Sequence, residues 1–277
     1  MRVLRAKNVS EAVRMQQENR GYYLAGGTYS MVEINSERFD PECLIDLSLC
    51  PELYGIREEE NFVHIGALTT FTELEKSELI CRLFPALAKA AAEVGGPQVR
   101  NRGTVGGNIC AASPAADAAP PLLALDAVVT AVGANGVRQI PIHELFLAPK
   151  KTCLTPDEVV TELILPKTGS RSGFIKVGKR NALAVSSINM AVAAVLRDGK
   201  LQDLRVAAGS CAPTPRLCPR TAACLLEGGV QAIEAAQAIL MEEISPIDDR
   251  WATAEYRRMV AKNMLEALMN EVMEGMA

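Results

Sequence analysis

The sequence predicts an α+β fold, with strands and helices mixed, hairpins among them and a helical end. Three observations carry this. Short β-branched runs are bounded by turn signals, the strongest being Asn135-Gly136 between residues 128–132 and 137–140. Alanine-rich helical segments, such as residues 83–94, are interspersed with those strands rather than set apart in a separate half. From Thr221 onward the pattern is helical. The chain has 277 residues, 49% hydrophobic and 22% charged, so a sizeable core is available and wholesale disorder is excluded.

In order along the chain, Ser10 is placed to cap a helix running to about Glu18, with Ala12, Val13 and Met15 on its apolar face. Residues 22–25 read as a short strand running into a glycine turn, and residues 43–47 and 62–66 as further strands. Thr70 or Thr72 starts a small helix. The helix of residues 83–94 ends at Gly95-Gly96. Residues 159–165 form a strand closed by Pro166. Residues 167–173, polar and glycine-containing behind that proline, are the natural linker. Residues 174–179, 188–197 and 201–208 are strands, the last two joined through Asp198-Gly199. Thr253 caps a final helix carrying Tyr256, Val260, Met264, Leu268 and Val272 on one side.

Composition narrows function. A net charge of −4 without a long basic run disfavours nucleic acid and anionic membranes, and 4% aromatics leave little for base stacking. The amino terminus has no apolar run after its charges, so it is not a secretory signal. Residues 111–134 are apolar but interrupted by Asp117, Asp126 and three prolines, which argues against a membrane span. Eight cysteines with no C-x-x-C spacing point to reduced thiols in the cytoplasm rather than a zinc or iron–sulfur site; Cys211, Cys218 and Cys224 read as small apolar side chains. His64 and His143 are far apart and read as structural.

Two glycine-rich segments carry the chemistry: Leu24-Ala25-Gly26-Gly27-Thr28, and Arg100-Asn101-Arg102-Gly103-Thr104-Val105-Gly106-Gly107-Asn108. Successive exposed amides in such turns form anion-binding concavities, and each hydrogen bond to a charged oxygen contributes roughly 1.5–3 kcal/mol. Together they suit a diphosphate held from both sides; either alone is equally well a tight turn. The spacing is neither G-x-G-x-x-G nor a P-loop. Asp117, in a stretch nearly devoid of polar side chains, needs a partner, which is a ligand hydroxyl or a helix amino terminus. Lys176 reaches a ligand or, as strand pattern favours, solvent. No acid/base pair stands out, which suits chemistry carried by a cofactor.

On these residues the chain resembles the FAD-binding (medium) subunits of the molybdenum hydroxylases, the xanthine dehydrogenase and carbon monoxide dehydrogenase group. The most specific block is residues 96–108. Leu44-Ile45-Asp46-Leu47-Ser48, Ser113-Pro114-Ala115-Ala116-Asp117, Lys176-Val177-Gly178-Lys179-Arg180 and Ala212-Pro213-Thr214-Pro215-Arg216 follow the family's order. The resemblance implies a two-lobed FAD-binding domain of the vanillyl-alcohol-oxidase type over residues 1–168 and a smaller α+β carboxy-terminal domain over 172–275. It implies that Leu24, Ala25, Gly26, Gly27, Thr28, Tyr29, Ser30 and Met31, with Thr104, Gly106, Gly107 and Asn108, line the FAD diphosphate site. Asp117 would bond the FAD sugar chain, Lys176 would lie near the flavin, and Val160 would match an apolar residue beside it. Tyr29 departs from the aspartate common there, and no four-cysteine loop of the benzoyl-CoA reductase branch is present. The implied activity is an electron relay. A molybdopterin subunit oxidises the substrate, a subunit with [2Fe–2S] clusters passes electrons to this FAD, and the flavin reduces NAD⁺ or another acceptor. A self-sufficient FAD oxidoreductase of the same fold and a non-catalytic assembly subunit are the rival readings.

Overall fold

A computed structural model describes residues 1–180, 183–198 and 200–274. Three short strands, β1 (Arg2–Arg5), β2 (Tyr22–Leu24) and β3 (Cys43–Asp46), form a parallel sheet in the order β1-β3-β2. Between β1 and β2 runs the helix Val9–Asn19, which buries Val9, Ala12 and Val13 against Ile45 and Leu47. Its cap is Asn8, not the expected Ser10: the Asn8 side chain accepts from the Glu11 amide at 2.8 Å from an extended backbone.

Strands β4 (Ile56–Glu58), β5 (Phe62–Gly66), β6 (Val128–Gly133) and β7 (Gly136–Pro141) belong to a second, antiparallel sheet. A small hairpin of β8 (Phe146–Ala148) and β9 (Lys151–Thr152) precedes β10 (Val159–Pro166), which completes the order β4-β5-β10-β6-β7. The Asn135-Gly136 turn joins β6 and β7 as expected, with Gly136 at φ +106°. On β10 the register slips between Val160 and Glu162, leaving Thr161 as an extra residue against β6.

The third sheet is antiparallel: β11 (Arg171–Gly178), β12 (Ser186–Arg197), β13 (Lys200–Gly209) and β14 (Arg216–Leu217), in that order. The expected linker is therefore shorter than seven residues, because Arg171–Gly173 already pair with β12. Of the Asp198-Gly199 turn, Gly199 lies outside the described residues, as does residue 275, where the expected second domain ends.

Both faces of the third sheet are covered, so β12 is buried continuously from Ser186 to Ala194 instead of alternating. On one face Ala191, Ala193, Ala207 and Phe174 pack with Leu87, Ala90 and Leu122 from the helices Pro85–Ala92 and Ala119–Ala124. These belong to the same core as Ile65, Val129 and Leu163 of the second sheet. On the other face Met190, Val192, Leu204 and Val206 meet the helices Pro219–Gly228, Ile233–Glu243 and Ala254–Glu274. The last helix buries Arg257, Ala261, Met264, Leu265, Leu268, Met269 and Val272, so the expected stripe is rotated and Tyr256 is exposed.

Thr70 begins the helix Phe71–Lys76 through a reciprocal capping box with Glu73. The expected helix over 83–94 is the helix Pro85–Ala92, with Pro85 at its first position, while Leu83 ends a separate helix, Glu78–Leu83. Among the described residues no helix is long and apolar enough to cross a membrane.

Candidate functional site

The two glycine segments, far apart in sequence, meet. A Cβ added at Gly26 would fall onto the carbonyl oxygen of Arg102 and lie 3.2 Å from Gly103 Cα. The Thr28 hydroxyl lies over Gly103, and the Ala25 Cβ is 3.7 Å from where a Gly107 side chain would start. Gly27 takes φ +75°, which lets the chain turn out of β2 and into the short helix Ser30–Asn35, where the Met31 amide donates to the Gly27 carbonyl at 3.0 Å. Leu24 anchors the turn by accepting from the Leu47 amide at 3.0 Å.

The sides of this site differ in what they offer. Among the described residues the amides of Gly26, Gly27, Thr28, Tyr29 and Ser30 donate to no protein acceptor. They are the free donors an anion would take. The second segment was expected to present amides in the same way, and it does so only at Thr104, whose amide donates to no protein acceptor among the described residues. The Val105 amide donates to Thr69 O (3.0 Å), Gly106 to Ala67 O (2.9 Å), Gly107 to the Thr104 hydroxyl (3.1 Å) and Asn108 to Thr104 O (3.0 Å). These bonds cap the helix Val105–Cys110 and fasten it to the sheet, since the Ala67 amide in turn donates to Thr161 O at the β10 bulge. What this side offers is the Thr104 N–H and O–H and the Asn108 amide, whose Oδ1 is buried with no partner among the described residues. Val160, next to that bulge, is 6% exposed and belongs to the main core.

Tyr29 stands at the rim under a cation the sequence did not suggest. Lys150, at the tip of the β8–β9 hairpin, places Nζ 5.6 Å from the Tyr29 ring centroid and 3.2 Å from Glu33 Oε2. Its own amide donates to Ala112 O at 2.8 Å, tying the hairpin tip to the loop that follows the second segment. Hydrogen bonds from Arg38 and Lys150 hold the Glu33 carboxyl below its ordinary range.

Asp117 and Lys176 are brought together, which neither expectation for them foresaw. Asp117 caps no helix; its Oδ2 accepts from Lys176 Nζ at 2.6 Å, and its Oδ1 from Ser186 Oγ at 2.5 Å and Asn189 Nδ2 at 2.8 Å. Lys176 is turned away from solvent, with a side chain 6% exposed, and also donates to Glu93 O at 2.8 Å. Burial pushes the Glu93 carboxyl above its ordinary range. Ser186 and Asn189 escaped the sequence reading, although a serine pair and an asparagine inside an apolar strand were a visible signal.

The remaining candidates stay structural. His64 lies between Glu162 (3.1 Å) and Glu59 (3.5 Å) on the second sheet, and His143 is exposed beside Glu144. Among the described residues no cluster of histidine, cysteine and carboxylate side chains is arranged to hold a metal, and Cys211 and Cys218 are buried. A cleft of about 470 Å³ opens elsewhere, between residues 82–85, 167–172 and Val272; none of the site residues lines it.

The free amides suit a ligand rich in charged oxygens, and the unpaired Asn108 oxygen suits one that also carries donors. FAD, with its diphosphate and hydroxylated chain, has both. Comparison with known proteins agrees over the whole chain. Residues 174–272 match the CO dehydrogenase flavoprotein C-terminal domain. The xanthine dehydrogenase FAD-binding subunit of Escherichia coli O157:H7 is 31% identical over 274 residues, covering 96% of this chain and 94% of that protein. The nicotinate dehydrogenase FAD-subunit of Eubacterium barkeri is 37% identical over 222 residues, covering 78% and 75%. A solved carbon monoxide dehydrogenase from Hydrogenophaga pseudoflava superposes with a TM-score of 0.94 at 31% identity, over 98% of this chain and 96% of that one. Residues 1–168 match the FAD binding domain in molybdopterin dehydrogenase, and the chain belongs to that family of flavin subunits of oxidoreductase complexes.

Proposed function

We propose that this chain is the electron-relaying flavin subunit of a molybdenum hydroxylase complex. FAD is held with its diphosphate on the amides of residues 26–30, between residues 24–31 and the helix start at Thr104, Gly106, Gly107 and Asn108. The observation that carries the reading is the contact between the two glycine segments beside a run of unbonded amides. When bound, the flavin supplies the chemistry, taking electrons from a partner's [2Fe–2S] clusters and giving hydride to NAD⁺ or electrons to another acceptor. The chain's residues bind and orient. The amides replace water on the diphosphate, Asn108 Oδ1 accepts from a donor on the ligand, Asp117 takes a hydroxyl of the sugar chain, and Lys176 sits near the flavin. Val160 contributes apolar packing behind it.

Neither histidine reaches this site, which favours a relay over a self-sufficient oxidase with its own acid or base. The molybdopterin subunit and the [2Fe–2S] subunit are the partners, and eight free cysteines fit a reducing compartment such as the cytoplasm.

The test is the absorption spectrum of the purified chain titrated with FAD. Wild type takes up flavin. Gly107→Trp, which fills the space between Thr104 and Ala25, does not. A wild-type chain that never takes up flavin, or a variant that takes it up equally, overturns the site. Anaerobic NADH then bleaches the bound flavin if NAD is the acceptor; an unbleached flavin assigns the electrons to another acceptor.

A further inference from the structure

Strand β12 is buried from Ser186 to Ala194, and its side chains there are otherwise apolar apart from the Ser186-Ser187 pair and Asn189. Asn189 is 0% exposed. Its Nδ2 reaches Asp117 Oδ1 at 2.8 Å and Ser186 Oγ at 3.3 Å, while its Oδ1 has no partner among the described residues. The acceptor role of Asp117 fixes which end of the amide is nitrogen, so flipping it satisfies nothing. Room for the amide comes from Gly209, directly opposite on β13: a Cβ there would fall onto Asn189 Oδ1 and come within 3.2 Å of Pro120 Cγ. A buried amide with half its capacity unused destabilises the fold relative to an apolar side chain. Its presence calls for another reason.

Hydrogen-bond accounting supplies one. A carboxylate has about four acceptor positions and an ammonium three donors. Asp117 uses two positions on Oδ1, for Ser186 and Asn189, and one on Oδ2, for Lys176. Lys176 uses two donors, for Asp117 and Glu93 O. The described residues therefore leave one acceptor on Asp117 Oδ2 and one donor on Lys176. The backbone beneath is held from the same sheet: the Ser210 amide donates to Pro114 O at 2.7 Å, and the Ser210 hydroxyl donates to Ser186 O at 3.0 Å. Pro114 O and the Asp117 carboxyl group are thus both held by the carboxy-terminal half, not by the half that carries the glycine turns.

We propose that Asn189 and Ser186 are positioning residues of the cofactor site. They lock the Asp117 carboxyl group so that its spare acceptor is kept for a hydroxyl of FAD, and the carboxy-terminal sheet completes a site whose diphosphate half it does not touch. This rests on the assignment of Asp117 to FAD made above.

The experiment compares the full-length wild type with Asn189→Leu, Ser186→Ala, Asp117→Asn and the double variant Asp117→Asn/Asn189→Leu. FAD dissociation constants come from flavin fluorescence titration, and melting temperatures are read without FAD. Asn189→Leu weakens FAD about tenfold, as the loss of one hydrogen bond to a charged group implies. Ser186→Ala weakens it by roughly threefold to tenfold. The double variant binds no more weakly than Asp117→Asn alone, because Asn189 acts through Asp117.

If Asp117→Asn weakens FAD and neither Asn189→Leu nor Ser186→Ala does, the positioning role is overturned while the Asp117 assignment stands. If Asp117→Asn binds as wild type does, the assignment itself fails. Additive losses in the double variant also overturn the proposal. A purely structural role lowers the melting temperature of the apoprotein and leaves the dissociation constant unchanged. Should Asn189→Leu not fold, Ser186→Ala, which removes a single hydroxyl, decides alone.

Discussion

Gly26 and Gly27 sit side by side for different reasons. Gly27 supplies a backbone angle, φ +75°, while Gly26 supplies space, because its α-carbon abuts the Arg102 carbonyl. A carbonyl belonging to the second segment cannot rotate out of the way as a side chain would. Gly26→Ala must therefore separate the two segments, at a cost of about 1–3 kcal/mol for overpacking, and weaken FAD binding at least tenfold. Gly55→Ala is the control: φ is +94° but nothing lies within 4 Å, so it loses only conformational energy, about 1 kcal/mol, and keeps its FAD affinity. Equal losses of affinity in the two variants would sink the account. The glycine pairs were visible in the sequence, but the division of labour was not. Asp117 likewise announced that it needed a partner, but the partners lie 59 to 72 residues later on strands whose packing no local pattern encodes.

At the scale of elements, local chemistry was legible wherever one signal dominated. Asn135-Gly136 made its hairpin, and Thr70 made its capping box with Glu73. Where two signals competed, position decided. Asn8 outranks Ser10 because the turn it caps starts two residues earlier, and Pro85 moves the start of the alanine-rich helix from residue 83 to residue 85. Bonds between elements were not legible at all, and one of them makes a pH prediction. Glu158, which leads into β10, accepts from Arg138 of β7 at 2.5 and 2.8 Å and from the Thr155 amide at 2.6 Å. The hydrogen bond to Arg138 is the main reason its carboxyl is held below the ordinary value of 4.5. A depressed carboxyl stabilises the fold above its unfolded pKa, and that stability is lost as pH falls through the folded value. Glu158→Gln should thus lower the melting temperature at neutral pH, by about 1 kcal/mol of stability for a pair with a half-exposed arginine. The difference from wild type should shrink as the pH is taken below 4.5. A gap that stays constant down to acid pH would show that the ion pair contributes nothing.

The whole molecule follows a division of family domains that is not a division of cores. The family matches change over between residues 168 and 174, yet one apolar cluster holds Ile65, Leu87, Leu122 and Leu163 together with Phe174, Ala191, Ala193 and Ala207. Across the same seam lie the Asp117–Lys176 pair, the Arg205–Asp126 pair, the Ala86 amide on Ser172 and the Ser210 amide on Pro114 O. Splitting the chain at the linker would expose the helices Pro85–Ala92 and Ala119–Ala124 and leave a buried carboxylate without its cation, a loss of about 3–5 kcal/mol for that pair alone. Marginally stable domains do not survive losses of that size. The full chain should unfold in one transition, with far-UV circular dichroism and the emission of Trp251, the single tryptophan, sharing a denaturant midpoint. Residues 1–168 expressed alone should lack that cooperative transition and bind FAD far more weakly than the full chain. Two separated midpoints, or a fragment that melts cooperatively and takes up flavin with wild-type affinity, would mean that the carboxy-terminal half is an appendage rather than one wall of the site.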